Sequence, residues 1–526
     1  MRISPLPCTG LVRLAGSLIA CSLLGFTTIA FADPEPFADA SSWIPRHFQV
    51  EVLPGQDIHR VASDHGLVIA ESFGECHLLV SSGEMEDAVY LDDLQADSRL
   101  DWAELAYWQH TPESTRQMVV AVVGATVEEF ATQNVYDHIG LGELHAHTLG
   151  AGTVVAVIDT GVDVKHPAIS EHIVAGGYDF IGNDQTPWET RNHTDDDEDG
   201  LVDEAAGHGT MVAGIVSLVA PEAGILPIRA LDDDGNGTAF GVARAINYAT
   251  AAGVDVINLS LGLPQFSMVI ERAVQQAREA GVIVVAAAGN EGTDEPPYFP
   301  ASSTATLSVA SLDAADIKSD FSNYDETVSL SAPGERILAP YIDGEWAVGS
   351  GTSFAAPFIS GQAALVRSVL SGLGVASHEA AILSGTIRVD QLIDNLPYEG
   401  MLGAGRIDGK RTWHAVDGQM SALTSTDATP RGEAVWTPNP LPAGRTAVLE
   451  FLAPTPEATE VALSIVDATG RNVRTMNAAA GERLEWDGTT ETGVRVPAGI
   501  YFGALTLSGP DGTEAGRTYA RILVVN

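Results

Sequence analysis

Three residues of this chain have the types and settings that nucleophilic chemistry needs. They are Asp159 in Asp159-Thr160-Gly161, His208 in Gly207-His208-Gly209-Thr210, and Ser353 in Gly351-Thr352-Ser353-Phe354-Ala355-Ala356-Pro357. A serine hydroxyl is a poor nucleophile at neutral pH, so it needs a base within hydrogen-bond reach and a third group to orient that base. The chain order Asp, His, Ser is one of several unrelated orders that arrive at this geometry. Asn290, in Ala288-Gly289-Asn290-Glu291-Gly292, carries an amide able to donate to an oxygen that gains charge during such a reaction. Each motif has a plainer reading. Asp-Thr-Gly occurs in aspartic proteases, a serine opening a helix serves as a cap, and Gly-Asn after a strand is ordinary turn chemistry. Their joint occurrence favours the catalytic reading.

Such residues must be held by strand ends and helix starts. Between 153 and 371, apolar runs of strand length (153–158, 224–230, 254–259, 282–287) alternate with helical patterns (208–218, 239–252, 268–280, 353–371). Buried strands separated by helices predict an α/β fold, a parallel sheet with helices on both faces, whose carboxyl strand ends gather ligands. Asp159 and Asn290 fall at such ends, while His208 and Ser353 open helices. Before this region, strand patterns at 48–52, 67–70 and 77–80 and helical ones at 58–65 and 87–94 predict a small α+β unit. After it, residues 417–433 read as a Ser/Thr/Ala/Asp linker, and short alternating strands at 447–451, 461–466, 500–507 and 519–525 predict a β-sandwich.

Composition bounds the setting. An uncharged apolar run from Leu14 to Phe31, preceded by Arg2 and Arg13 and closed by Ala30-Phe31-Ala32, predicts a secretory signal at 1–32 and a secreted or cell-surface protein. A second reading takes Leu18-Ile19-Ala20-Cys21 as a lipid-attachment site at Cys21, but the apolar run continues past it. Of Cys8, Cys21 and Cys76 only Cys76 would survive signal removal, which excludes an intramolecular disulfide in the mature chain. The 70 acidic residues against 27 basic ones give a net charge of −43, a poor match for nucleic acid or an anionic membrane.

From about Gln133 to Val416 the chain resembles the subtilisin-like serine peptidases, the subtilase family. The likeness rests on Val157-Ile158-Asp159-Thr160-Gly161-Val162-Asp163, the two catalytic motifs at His208 and Ser353, Asn258-Leu259-Ser260-Leu261-Gly262, and Ala288-Gly289-Asn290. It implies a serine endopeptidase acting on protein or peptide substrates, with Asp159, His208 and Ser353 catalytic and Asn290 as oxyanion donor. Ser260, Leu261 and Gly262 would pair with substrate as a strand, opposite an edge at Gly235-Asn236-Gly237-Thr238. Leu261-Gly262 and residues 287–289, Gly289 included, would wall an apolar pocket for medium or large side chains. The amino-terminal unit, 33–120, is similar to the propeptides of this family and would make the enzyme its own propeptide's partner, with catalytic residues at 121–416. The tail, 434–526, is similar to flagellar-hook-capping-type immunoglobulin-like domains, through Asp467-Ala468-Thr469-Gly470, Trp486-Asp487-Gly488 and Pro497-Ala498-Gly499-Ile500-Tyr501; it would address a cell surface or secretion machinery. A non-catalytic adhesion protein on the same scaffold is the alternative, although no catalytic residue is lost.

Departures from the family pattern point to metal. Ala168 stands where an acidic ligand is expected, and the helix opened by His208 runs directly into the next strand, so the family's tight calcium loop is not expected. Upstream of His208, Asp195, Asp197, Asp199 and Gly200 repeat the first half of an EF-hand-like loop, with Ala206 at the closing position and Asp203 or Glu204 as substitutes. Ca²⁺ held by Asp195, Asp197, Asp199 and Asp203 is one reading; a solvated acidic loop is the other. His145 and His147 read as surface histidines.

Overall fold

The computed structural model describes residues 43–424, apart from 84, 113–120, 196–199 and 295–297, and then 434–437, 447–451, 460–467, 472–479, 484–496, 499–508 and 514–524. The expected signal at 1–32, Cys21 and two of the four expected calcium ligands, Asp197 and Asp199, lie outside the described residues.

The amino-terminal unit runs β1 (Trp43–Val52), α1 (Ile58–Asp64), β2 (Leu67–Phe73), β3 (Cys76–Ser81), α2 (Asp87–Gln95) and β4 (Leu100–His110). Its antiparallel strands lie in the order β2-β3-β1-β4. One face of the sheet buries Phe48, Val50, Leu79 and Ala103 against Val61 and Leu94 of the two helices. β4 is the strand that periodicity did not single out; its polar residues Glu104, Gln109 and His110 interrupt the alternation. Phe73, Leu78, Trp102 and Tyr107 pack against the catalytic body, and Cys76 is buried in the same contact, which pushes its thiol up to about 12. A thiol held protonated in this way is inert as a nucleophile.

β5 (Ala121–Val123) and three short helices, α3 (Val127–Ala131), α4 (Asn134–His138) and α5 (Leu141–His145), lead into the body. There follow β6 (Val154–Asp159), β7 (Tyr178–Asp179), α6 (His208–Val219), β8 (Gly224–Arg229), β9 (Asn236–Thr238), α7 (Ala239–Ala251), β10 (Val256–Leu259), α8 (Met268–Glu279), β11 (Ile283–Ala287), β12 (Thr306–Leu312) and β13 (Leu330–Pro333). A hairpin of β14 (Ile337–Tyr341) and β15 (Glu345–Gly349) precedes α9 (Thr352–Val369), α10 (Val375–Ser384), β16 (Thr386–Ile387), β17 (Arg406–Ile407) and α11 (Gly409–Thr424). The nine-stranded sheet has the order β16-β17-β13-β12-β11-β10-β6-β8-β7 and is parallel except at the β16–β17 edge. Side chains alternate between two cores. Val155, Val157, Ile283 and Val285 meet α6 and α9 on one face, while Ala156, Ile158, Val284 and Ala286 meet α7 and α8 on the other. Burial of each Val or Ile contributes on the order of 1.5–3 kcal/mol, which is why the apolar runs are continuous instead of alternating.

β15 also pairs with β5, Trp346 opposite Val123 and Val348 opposite Ala121, so the chain that follows the amino-terminal unit is fixed to the body at once. The expected linker from 417 is corrected at its start, because α11 continues to Thr424 with Val416 packed in the core. In the tail, β18 (Ala434–Thr437), β19 (Ala447–Phe451), β20 (Glu460–Asp467), β21 (Asn472–Ala479), β22 (Leu484–Trp486), β23 (Gly499–Ser508) and β24 (Glu514–Val524) form two antiparallel sheets, β18-β19-β22 and β21-β20-β23-β24. The β-sandwich expectation is met. Among the described residues, no helix is long and apolar enough to cross a membrane.

Candidate active site

β6 ends at Asp159, and α6 begins at His208 directly above it. His208 Nδ1–H donates to Asp159 Oδ1 at 2.6 Å, with both side chains wholly buried. That bond fixes the ring orientation and leaves Nε2 as the atom able to take a proton. Two glycines make the approach possible. A Cβ on Gly209 would stand 2.1 Å from the Gly161 carbonyl, and one on Gly207, whose φ is +100°, would enter the Tyr341 ring.

Ser353 is the second residue of α9, where free backbone N–H groups and the helix dipole favour negative charge. Pro357 lies four residues on and has no N–H to give the Ser353 carbonyl. The Ser260 hydroxyl supplies that donor at 2.8 Å, and Asn258 Nδ2 in turn donates to Ser260 Oγ at 3.0 Å. The helix defect is thus repaired from the end of β10, which locks the Ser353 backbone to the strand beside it. Ser353 Oγ lies 3.4 Å from the Ser260 carbonyl. Asn290 is held by its oxygen: Thr352 donates to Asn290 Oδ1 from both N and Oγ1 at 2.9 Å. With the oxygen so engaged, the orientation of the amide is fixed and Nδ2 is its donating end.

The strand-shaped groove expected between 235–238 and 260–262 is filled by β4. Trp108, Gln109 and His110 pair antiparallel with Thr238, Gly237 and Asn236 of β9, and His110 bridges to Gly262 on the other side. Gln109 and Thr111 are buried while Trp108 is exposed, the alternation of a strand seated in a cleft. The amino-terminal unit also caps α8: Glu104 accepts from the Met268 and Val269 N–H groups at 2.8 and 3.1 Å and from the Ser267 hydroxyl at 3.1 Å. Burial nevertheless raises the Glu104 pKa above the usual carboxylate range.

Tyr298 approaches both segments expected to wall the pocket. A Cβ on Gly262 would meet Tyr298 Cβ at 2.9 Å and Cδ2 at 3.4 Å, and one on Gly289 would meet Tyr298 Cδ1 at 3.3 Å. The Tyr298 side chain thus lies against both Gly262 and Gly289. Tyr298 follows an acidic and proline-rich stretch that gave no periodic signal.

Glu189 was also missed. Its wholly buried carboxyl bonds the hydroxyls of Thr160 and Thr210, and burial raises its pKa to about 7. Among the expected metal ligands, Asp203 accepts from the N–H groups of Asn192 and His193 at 3.0 and 3.1 Å and pairs with the His193 ring. These contacts brace the loop that precedes His208. Asp195 Oδ2 accepts the Gly200 N–H at 2.9 Å. His145 is half-buried and bonds Tyr136 Oη and the Val219 carbonyl, whereas His147 lies at the surface, as expected, and stacks on Trp413 at 3.7 Å between ring centres.

Comparison with known proteins agrees with this geometry. Residues 150–405 match the profile described as Subtilase family, and residues 444–509 match that of the FlgD Ig-like domain. The chain is 40% identical over 243 residues to thermitase of Thermoactinomyces vulgaris, covering 44% of this chain and 80% of that protein. It is 40% identical over 218 residues to the thermophilic serine proteinase of Bacillus sp. (strain AK1), covering 41% of this chain and 53% of that protein. Alkaline serine exoprotease A of Vibrio alginolyticus is 30% identical over 365 residues, 68% of this chain and 63% of its own length. A parallel sheet that delivers an Asp–His pair and a helix-borne serine to one cleft, matched over most of thermitase, places this chain in the subtilase family of serine endopeptidases.

Proposed function

We propose that this chain is a secreted serine endopeptidase, made as a precursor whose residues 33–120 inhibit it until they are cut and released. The supporting observation is the seating of β4 in the groove between Asn236–Thr238 and Gly262. A strand of substrate would take the same place, reading backbone first and side chains second. His208 takes the Ser353 proton as Oγ attacks the peptide carbonyl, and Asp159 stabilises the imidazolium that forms. Asn290 Nδ2 and the Ser353 N–H hold the tetrahedral oxyanion. His208 then returns the proton to the leaving amine, and water repeats the cycle on the acyl-enzyme.

Residues 1–32 act as the export signal in this reading, and the tail from 434 attaches the enzyme to a cell surface or engages secretion machinery. The loop before His208 fits a calcium ion in part. Asp195 and Gly200 make the turn that an EF-hand-like loop makes between its first and sixth ligand-loop positions, and Asp195, Asp197 and Asp199 would supply hard oxygens. Bound Ca²⁺ would relieve the repulsion among these carboxylates, so a chelator is expected to lower Tm and added calcium to restore it.

A fluorophosphonate probe tests the core of the proposal. The mature chain is expected to label, and Ser353→Ala to abolish labelling and leave the precursor uncut. A mature, folded chain that failed to label would sink the reading; a Ser353→Ala chain secreted at mature size would exclude self-cleavage.

A further inference from the structure

We infer that Glu189 is a positioning residue for the Asp159–His208 pair, acting through the Thr160 hydroxyl, whose single proton points to Glu189 or to Asp159 according to the charge on Glu189. This deepens the peptidase reading and rests on it.

Glu189 reaches both catalytic motifs. Its Oε1 pairs with Thr160 Oγ1, one residue after Asp159; its Oε2 pairs with Thr210 Oγ1 and accepts the Thr210 N–H at 3.1 Å, two residues after His208. Thr210 Oγ1 already accepts the Asp163 N–H at 2.8 Å, so its proton is committed to Glu189. Thr160 has a choice. Its Oγ1 accepts the Gly209 N–H at 3.0 Å and lies 3.3 Å from Asp159 Oδ1 as well as beside Glu189. A hydroxyl has one proton to donate. An ionised Glu189 takes it. A protonated Glu189 instead donates to Thr160 Oγ1, and the threonine proton turns to Asp159.

The consequence falls on His208. Asp159 Oδ1 receives the His208 Nδ1–H and the Thr160 N–H, while its buried Oδ2 has no donor among the described residues. With Glu189 ionised, a nearby negative charge and one fewer donor leave Asp159 to stabilise the imidazolium strongly. Protonation of Glu189 removes the charge and adds a donor, so His208 becomes a weaker base. Burial brings Glu189 to about 7, so both states are populated near neutrality. The ionisable groups facing it are Asp159 from β6, His208 behind that residue on α6, and Tyr341 from β14, with Arg191 over the Tyr341 ring.

The test is the pH dependence of kcat/KM for a chromogenic peptide, using the full chain after it has matured. Glu189→Gln mimics the neutral carboxyl, and its acid limb is expected about one unit lower than that of the parent, with KM unchanged. Glu189→Asp keeps the charge and is expected to restore the parent limb. A Glu189→Gln enzyme that labels with fluorophosphonate but shows a superimposable pH profile overturns the inference. If that variant does not fold, NMR titration of the His208 ring in the parent decides: two inflections, as coupled groups give, support the coupling, and a single-site curve overturns it. A parent chain that does not label at all would overturn the peptidase reading as well.

Discussion

Gly262 and His110 exchange both backbone hydrogen bonds, His110 N–H to Gly262 O at 3.3 Å and Gly262 N–H to His110 O at 3.0 Å. The strand edge proposed to recognise substrate is therefore already satisfied from within the chain. Burial lowers the pKa of the His110 ring, and a neutral ring suits this closed cleft.

Release of the amino-terminal unit is expected to depend on pH through Glu104. Its docked pKa is raised, so the docked form binds a proton more tightly than the released form does. The contribution of Glu104 to docking is present below the ordinary carboxylate pKa and is lost as pH rises through the raised value. Stopped-time assays of the full chain should show faster appearance of peptidase activity as pH rises through this window. Glu104→Gln should flatten the dependence; an unchanged slope would exclude Glu104 as its source.

Asn290→Ala removes the amide while leaving the Thr352 contacts to solvent. We expect kcat to fall by roughly 10²–10³ with KM little changed, the cost seen for the corresponding donor in subtilisin. A loss expressed in KM alone would mean that the amide binds substrate without favouring the transition state.

Tyr298→Ala should open the space between Gly262 and Gly289. The ratio of kcat/KM for peptides with phenylalanine over alanine at the cleaved position is expected to rise about tenfold or more, as a few added carbons in an apolar pocket allow. A competition assay with a mixed peptide library reads the change directly.

Lys318 is buried with its Nζ donating to the carbonyls of Ser319 and Ser322 at 2.8 and 2.9 Å, and it lies 4.9 Å from the ring centres of Tyr324 and Tyr398. Burial lowers its pKa to about 8, below the ordinary lysine value. Between the folded and unfolded pKa values the unfolded chain binds more protons, so the lysine's contribution to stability rises with pH across that window. Lys318→Met should lower Tm by several degrees. Measured in a Ser353→Ala background to prevent self-digestion, the deficit should be larger at about pH 10 than at about pH 7. An equal deficit at both would exclude the titration.

The body was legible because its strands are buried on both faces. Runs such as Val154–Asp159 and Ile283–Ala287 are apolar throughout, and helices such as Met268–Glu279 keep one apolar stripe. Asp159, His208 and Ser353 could be read because each sits where a run ends or begins. β4 escaped because its polar residues make sense only with partners far along the chain: Glu104 answers the start of α8, and His110 answers Gly262. Glu189 escaped for the same reason, since its partners are two threonines in other segments. Tyr298 lay in a stretch without periodicity, and its effect depends on two glycines that face it from β-strand ends.

β4 ends in the cleft at His110 and β5 is paired to β15 from Ala121, so a chain cut between them, as proposed, would remain tethered to the same body on both sides. Scission therefore changes covalent connectivity without, by itself, separating the pieces. If the precursor proposal holds, the amino-terminal unit would stay bound after the cut through its sheet pairing, its apolar face and the Glu104 cap, and would keep the enzyme silent until it dissociated. Two clocks would then govern activation: a first-order cut set by catalytic geometry, and an escape set by an interface that solvent conditions can loosen.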